Sequence, residues 1–168
     1  MDVLQTYGVT SFQQDIQRGK AGENIFIDDF LKFMGIKFQD VTGTQGFQVL
    51  DTDFIAKIGM YEIKMNYKDD KQIVIEEYTN VNENLSAISY GWFYKSKADV
   101  IAFISKDTRA MILVPFTAVF KQHYERIKEK YELKRNLFSE RNGRRWQSAY
   151  RRVPLDAING YFAYYKKP

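Results

Sequence analysis

The chain of 168 residues has no cysteine, three prolines and a single histidine. Without cysteine, disulfides and thiolate zinc sites are excluded. His123 alone cannot build a histidine-rich zinc centre, and its place on an apolar helical stripe gives it a packing or exposed role. Gly19 and Gly22 lack the following Lys-Ser/Thr of a phosphate-binding loop, so no nucleotide cofactor or ATP-driven motor is expected. Long hydrophobic runs are missing too. The opening Met1-Asp2-Val3-Leu4-Gln5-Thr6 has no leader character, and every apolar run breaks within a few residues, which predicts no membrane partner and a cytoplasmic location. Few prolines, no low-complexity tract and 45% hydrophobic with 16% aromatic content argue for an ordered globule.

The length suits one domain with a real core, spanning 1–168. Charge is divided unevenly. Residues 1–120 carry 12 Lys/Arg against 16 Asp/Glu, a balance of −4, whereas 121–168 carry 13 against 5, a balance of +8. A basic region from about residue 121 beside an acidic centre suits a protein that grips a polyanion with cations while carboxylates act on it.

Apolar positions Ile25, Phe26, Phe30, Leu31, Phe33 and Met34, preceded by Gly19 to Glu23, recur at three-to-four spacing, which predicts a helix running to Gly35 with Glu23 in or near its first turn. Extended structure is expected from Ile36 to Val41, a turn at Gly43 to Gly46, strands over 47–57 and 60–66, and a turn from Tyr67 to Lys71. Further strands are expected over Gln72 to Tyr78, Asp99 to Ile104 and Ala110 to Val114, with a polar loop at 79–84 and Pro115 limiting the last strand. Thr117 to Leu137 reads as a helix with the stripe Val119, His123, Ile127 and Tyr131. Arg141 to Trp146 reads as a basic loop, and Trp92, Phe93 and Tyr94 as packing of the sheet or, alternatively, a surface on which a base could stack. The predicted class is α/β, a central mixed β-sheet flanked by helices.

The tract from Asp51 to Lys64 carries the chemistry. Side chains on a strand alternate, so Glu62 and Lys64 share one face while Tyr61, Ile63 and Met65 pack on the other. Asp53, or Asp51 two residues before it, brings a second carboxylate to that face; Phe54-Ile55-Ala56 favours Asp53 by setting it at a strand. Oxygen ligands of this kind suit magnesium or manganese, which polarise a phosphoryl oxygen in phosphodiester hydrolysis. The Ile63 backbone carbonyl lies between the Glu62 and Lys64 side chains, and Lys64 is placed to orient water or stabilise charge.

Glu23, Asp53, Glu62 and Lys64 together resemble the PD-(D/E)XK nuclease superfamily, which includes restriction enzymes, Holliday junction resolvases and phage recombination nucleases. The resemblance covers roughly 19–104 and departs at Thr52, where the motif nominally has proline. It implies a restriction-endonuclease-like core, with the aspartate and Glu-x-Lys on adjacent strands and a glutamate on the first helix. Asp53, Glu62 and the Ile63 carbonyl would hold Mg2+ or Mn2+, with Glu23 and Glu77 as further acids; Glu76 competes with Glu77 for the inward position. Ser96-Lys97-Ala98-Asp99 resembles a segment of small phage and bacterial members, giving Lys97 a phosphate contact.

Arg141, Arg144, Arg145, Arg151 and Arg152 form the candidate DNA-contact group, with Lys128, Lys130, Lys134 and Arg135 as companions. The implied activity is divalent-metal-dependent endodeoxyribonuclease cleavage, leaving a 5′-phosphate and a 3′-hydroxyl, in recombination, repair or phage genome processing. A resolvase would be a homodimer cutting two strands symmetrically, in the host cytoplasm if phage-encoded. The alternative is a non-catalytic nucleic-acid-binding or inhibitory protein on the same fold.

Overall fold

The computed structural model describes residues 10–48, 52–57, 59–66, 71–82, 84–141 and 144–168. Asp51 and most of the expected 67–71 turn lie outside them. The chain enters through β1 (Thr10–Ser11) and turns at once into α1 (Phe12–Phe26), prolonged by a π-helical turn, Ile27–Leu31. The helix therefore begins well before the expected boundary, and Glu23 sits in its interior rather than its first turn. Gln, Arg, Lys and Ala around 13–21 supply helix propensity without an apolar period, and Ile16 is exposed.

After β2 (Phe38–Asp40) comes a helical turn, α2 (Gln45–Gln48), where a strand was expected; that strand is reduced to β3 (Phe54–Ala56). β4 (Gly59–Asn66) and β5 (Gln72–Val81) follow, β5 extending into the expected loop. Next are β6 (Ala87–Tyr90), the helical turn α3 (Trp92–Lys95), β7 (Val100–Ser105) and β8 (Met111–Pro115). α4 (Ala118–Ile127) ends in a 3-10 turn, Lys128–Lys130. The expected continuation of that helix to Leu137 is instead β9 (Lys134–Arg141), which forms a hairpin with β10 (Arg144–Pro154). Cross-strand pairing overrides the helical propensity of a Lys/Glu/Arg-rich stretch, and the expected basic loop becomes two strand ends with Arg144 opposite Arg141. A 3-10 turn, Leu155–Ile158, and β11 (Ala163–Tyr165) close the chain.

The result is an α/β fold with two mixed sheets, not the single central sheet expected. One runs β11-β8-β7-β4-β3-β2 and the other β1-β9-β10-β5-β6. In the first, β4 and β7 are parallel; in the second, β1 and β9 are. β5 follows β4 in sequence but pairs with β10 from the far end of the chain.

The six-stranded sheet is covered on both faces, which explains why β7 and β8 read as continuous apolar runs. Ala102, Ile104 and Met111 pack with Phe26, Phe30 and Leu31 of the first helical segment. Ile101, Phe103, Ile112 and Val114 pack on the other side with Trp92, Phe93, Phe120, Tyr124, and with Ile73, Ile75 and Val153 from the second sheet. Each fully buried large apolar side chain contributes roughly 1.5–3 kcal/mol.

The Thr117 hydroxyl caps α4 by accepting from Phe120 N–H at 3.3 Å. The helix buries Phe120 and Tyr124; of the expected stripe, Ile127 and Tyr131 are partly buried against the same core, while Val119 is 62% exposed. His123 does pack: its ring stacks on Tyr161 at 4.5 Å and Nε2 donates to Ala157 O at 2.7 Å.

Candidate active site

Alternation along β4 turns Tyr61 and Ile63 toward the α1 side and leaves Glu62 and Lys64 on the face toward α3. Asp53 lies where β3 parts from β4, just before the Phe54–Tyr61 pair. Asp53 N–H donates to Tyr61 O at 2.8 Å, and Asp53 Oδ2 accepts Ile63 N–H at 2.8 Å. The N–H and C=O of one strand residue point to the same edge, so the Ile63 carbonyl faces the Asp53 side of β4.

Glu62 is buried and ion-paired with Lys64, whose Nζ lies 5.4 Å from the centroid of the Trp92 ring. α1 completes the group because Gly22 lets it approach β4 closely. A Cβ there would stand 3.2 Å from Met65 Cε and 3.5 Å from Ile63 Cγ2, and the next residue is Glu23.

The electrostatics follow from this crowding. Burial raises the Glu23 carboxyl above its ordinary value, and the Asp40 and Glu62 charges raise it further against the pull of Lys20. Burial also raises Asp53, with Glu23 and Asp40 adding to it, while the Ile63 N–H and Lys64 offset part of the rise. For Lys64, burial acts downward, but Glu62, with help from Asp53 and Glu76, outweighs it and holds the ammonium above the usual lysine range. The pairing with Glu62 thus favours the charged form of Lys64.

Asp40 also belongs to this acidic group, although the sequence did not single it out. It sits on β2 opposite Phe54, beside Asp53, and its only sequence signal is its place at the end of the Ile36 to Val41 extended segment.

Among the described residues, no set of three or more Asp, Glu, His or Cys side chains is arranged to hold a metal ion. The oxygen donors on this edge are the Asp53 and Glu62 carboxylates and the Ile63 carbonyl. Magnesium keeps several waters and takes only one or two carboxylates in such sites. These are oxygen donors, the type that hard divalent cations take, and they form no closed protein cage.

The remaining site residues divide. Strand register turns Ile73, Ile75 and Glu77 inward on β5, and Glu77 meets α4 and β10 instead of the acidic group. Tyr124 Oη donates to Glu77 Oε1 at 2.5 Å and Arg151 Nε donates to the same oxygen at 2.8 Å. Arg151 also donates to Tyr131 O and, at 3.2 Å, to Glu129 Oε1. Two expectations are corrected: Glu77 is occupied as a buried counter-ion to Arg151 and a partner of Tyr124, and Arg151 is its interior partner instead of a surface DNA contact. Glu76, its competitor, acts electrostatically on Lys64.

Arg145 is exposed with its guanidinium 4.7 Å from the Phe138 ring, and Arg152 lies 5.7 Å from the Tyr150 ring. The side chains of Arg141 and Arg144 lie outside the described residues. Lys97 is exposed and close enough to Lys121 for the two to repel, adding to the burial that lowers Lys121. Asp99 holds the backbone in place. Its Oδ2 accepts Met60 N–H at 2.9 Å, fastening the start of β4 beside β7. Among the companions, Lys128 is ion-paired to Glu125 and Lys134 to Glu132.

No protein-family model and no curated protein matches the chain. Among solved structures, a bacterial homing endonuclease is similar to it at 17% identity, over 64% of this chain and 72% of that chain, with a TM-score of 0.46. No helix among the described residues is long and apolar enough to cross a membrane.

Proposed function

We propose that the protein is a divalent-metal-dependent endodeoxyribonuclease of the PD-(D/E)XK type. The observation that carries the reading is the Asp53 carboxylate seated on Ile63 N–H beside the Glu62–Lys64 pair, at one strand edge crowded with mutually repelling acids. Asp53, Glu62 and the Ile63 carbonyl would hold Mg2+ or Mn2+, which supplies polarisation of the phosphoryl oxygen when bound. Lys64, kept as an ammonium, offers hydrogen bonds to the phosphate and stabilises charge developing on it. Glu23, with its raised proton affinity, is suited to take a proton from the attacking water. Arg145, Arg152 and Lys97, with Arg141 and Arg144, would position the DNA backbone without reading its sequence. Cutting two strands symmetrically would call for a homodimer.

A second reading, a DNA-binding protein without catalysis, is favoured by the want of a preformed set of three acidic ligands among the described residues. The deciding experiment is cleavage of labelled duplex, single-stranded, flap and four-way-junction DNA with magnesium or manganese, comparing wild type with Glu62→Ala and Lys64→Ala. Metal-dependent cleavage lost in both folded variants supports the nuclease. Tight binding without cleavage above the variants supports the second reading.

A further inference from the structure

The face of the five-stranded sheet toward α1 holds a cleft of about 260 Å³ that the proposed chemistry leaves unused. Its walls include Arg18 from α1, Glu76 and Thr79 from β5, Ser139 from β9, and Trp146 and Ser148 from β10. Trp146 lies opposite Ser139 in the hairpin and is half-buried. β10 carries register shifts between Gln147 and Ala149 against β9 and between Ala149 and Tyr150 against β5. Such bulges re-aim side chains beside functional sites.

Two links join this cleft to the acidic edge. α1 touches both β4, which carries the acidic edge, and β9, which lines the cleft. Arg18 lines it from the same helix that carries Glu23, five residues and so roughly 7.5 Å further along the axis.

We propose that this cleft receives one unpaired nucleotide of the DNA strand next to the cleavage site, with its base on Trp146. The chemistry selects that ligand. One indole face accepts any base by stacking. The Thr79, Ser139 and Ser148 hydroxyls around it can meet the polar edge of a base that no longer pairs. The volume falls below that of pockets for drug-sized ligands, which suits one base and excludes a duplex. The substrate is then DNA with an unpaired segment: a single strand, flap or junction.

This inference rests on the nuclease reading for its neighbouring phosphate, so its test is a binding measurement without metal. The chain has two tryptophans, and Trp92 is buried in an aromatic cluster against Phe93, Phe103 and Phe116 beneath Lys64, so the share of the quench that Trp146→Phe removes reports on Trp146. In EDTA, wild-type emission should be quenched by a thymidine oligonucleotide and much less by a blunt duplex of equal length. Trp146→Phe should remove the quench while keeping most of the affinity, and Trp146→Ala should weaken single-strand binding roughly 5- to 140-fold with duplex binding unchanged.

Equal quenching by duplex and single strand, or single-strand affinity unchanged in folded Trp146→Ala, overturns the proposal. If Trp146→Ala does not fold, the wild-type and Trp146→Phe titrations decide alone. Either result leaves the metal-dependent cleavage assay standing, because no metal enters the measurement.

Discussion

Arg151 Nε donates to Glu77 Oε1 at 2.8 Å with both side chains almost wholly shielded from solvent. The pair ties β10 to β5, while Tyr124 adds a bond from α4. Burial disfavours the Arg151 charge, but the Glu77 carboxylate more than restores it and holds its pKa up. Breaking such a pair leaves one charge buried without a counter-ion, whereas removing both is tolerated.

Arg151→Met is therefore expected to destabilise the fold by about 3–5 kcal/mol, and Glu77→Leu added to it should recover much of the loss. The exposed Arg145→Ala should cost no more than about 1 kcal/mol, the scale of its contact with the Phe138 ring. Urea denaturation of the four proteins checks this; equal losses in Arg151→Met and Arg145→Ala would contradict it.

Glu23 and Asp53 hold their protons more tightly in the folded chain than in the unfolded one. The folded state then binds more protons than the unfolded state between the ordinary carboxylate values and the raised ones. Their contribution is full below the ordinary carboxylate range and is lost as pH rises through the folded-state values. Glu23→Gln should flatten that loss, so that at neutral pH the variant melts above wild type while cleaving less. Melting curves taken from about pH 4 to about pH 8 test the sign.

Divalent metal should reverse part of this cost. If Asp53 is a ligand, magnesium at 100 times its dissociation constant raises wild-type stability by about 2.7 kcal/mol. Asp53→Asn, which keeps an acceptor for Ile63 N–H but no charge, should show no such gain. Melting with and without magnesium is the measurement, and an equal gain in both proteins would remove Asp53 from the ligand set.

Lys64→Ala removes the cation that is paired with the buried Glu62 and lies over the Trp92 ring, so its melting temperature is read beside its activity. Cleavage is expected to fall about 10²–10³-fold with DNA affinity kept within a small factor. Single-turnover cleavage and filter binding separate the two effects.

Gly91 marks a close crossing of chain segments. A Cβ there would stand 2.4 Å from Glu76 O and 2.9 Å from Glu77 C, both main-chain atoms that cannot swing aside. Gly91 N–H also donates to Glu77 O at 2.7 Å. Gly91→Ala should cost about 1–3 kcal/mol by overpacking, seen as a lowered melting temperature. A neutral result would mean that β5 shifts freely.

The face shared by Glu62 and Lys64 was legible because strand alternation needs only the local sequence. Asp53 reached the same edge because the short apolar run Phe54 to Ala56 pairs back on β4. β7 and β8 were legible as apolar blocks, and Pro115 does close β8. Asp40 was not legible, since its nearness to Glu23 depends on a helix and an edge strand that no sequence spacing relates. The strand at 134–141 was hidden for the same reason: its residues favour helix locally, and only the β10 ladder holds them extended.

Local periodicity and charge thus determined the α/β class, the carboxylate–lysine strand and the basic C-terminal region. The tertiary structure alone decided that β5 leaves its sequence neighbour for β10, and with that register sent Glu77 to Arg151 and Glu76 toward Lys64. The physical reason is that alternation sets which residues share a face, whereas what that face meets depends on non-local pairing, where one residue of register exchanges the two sides.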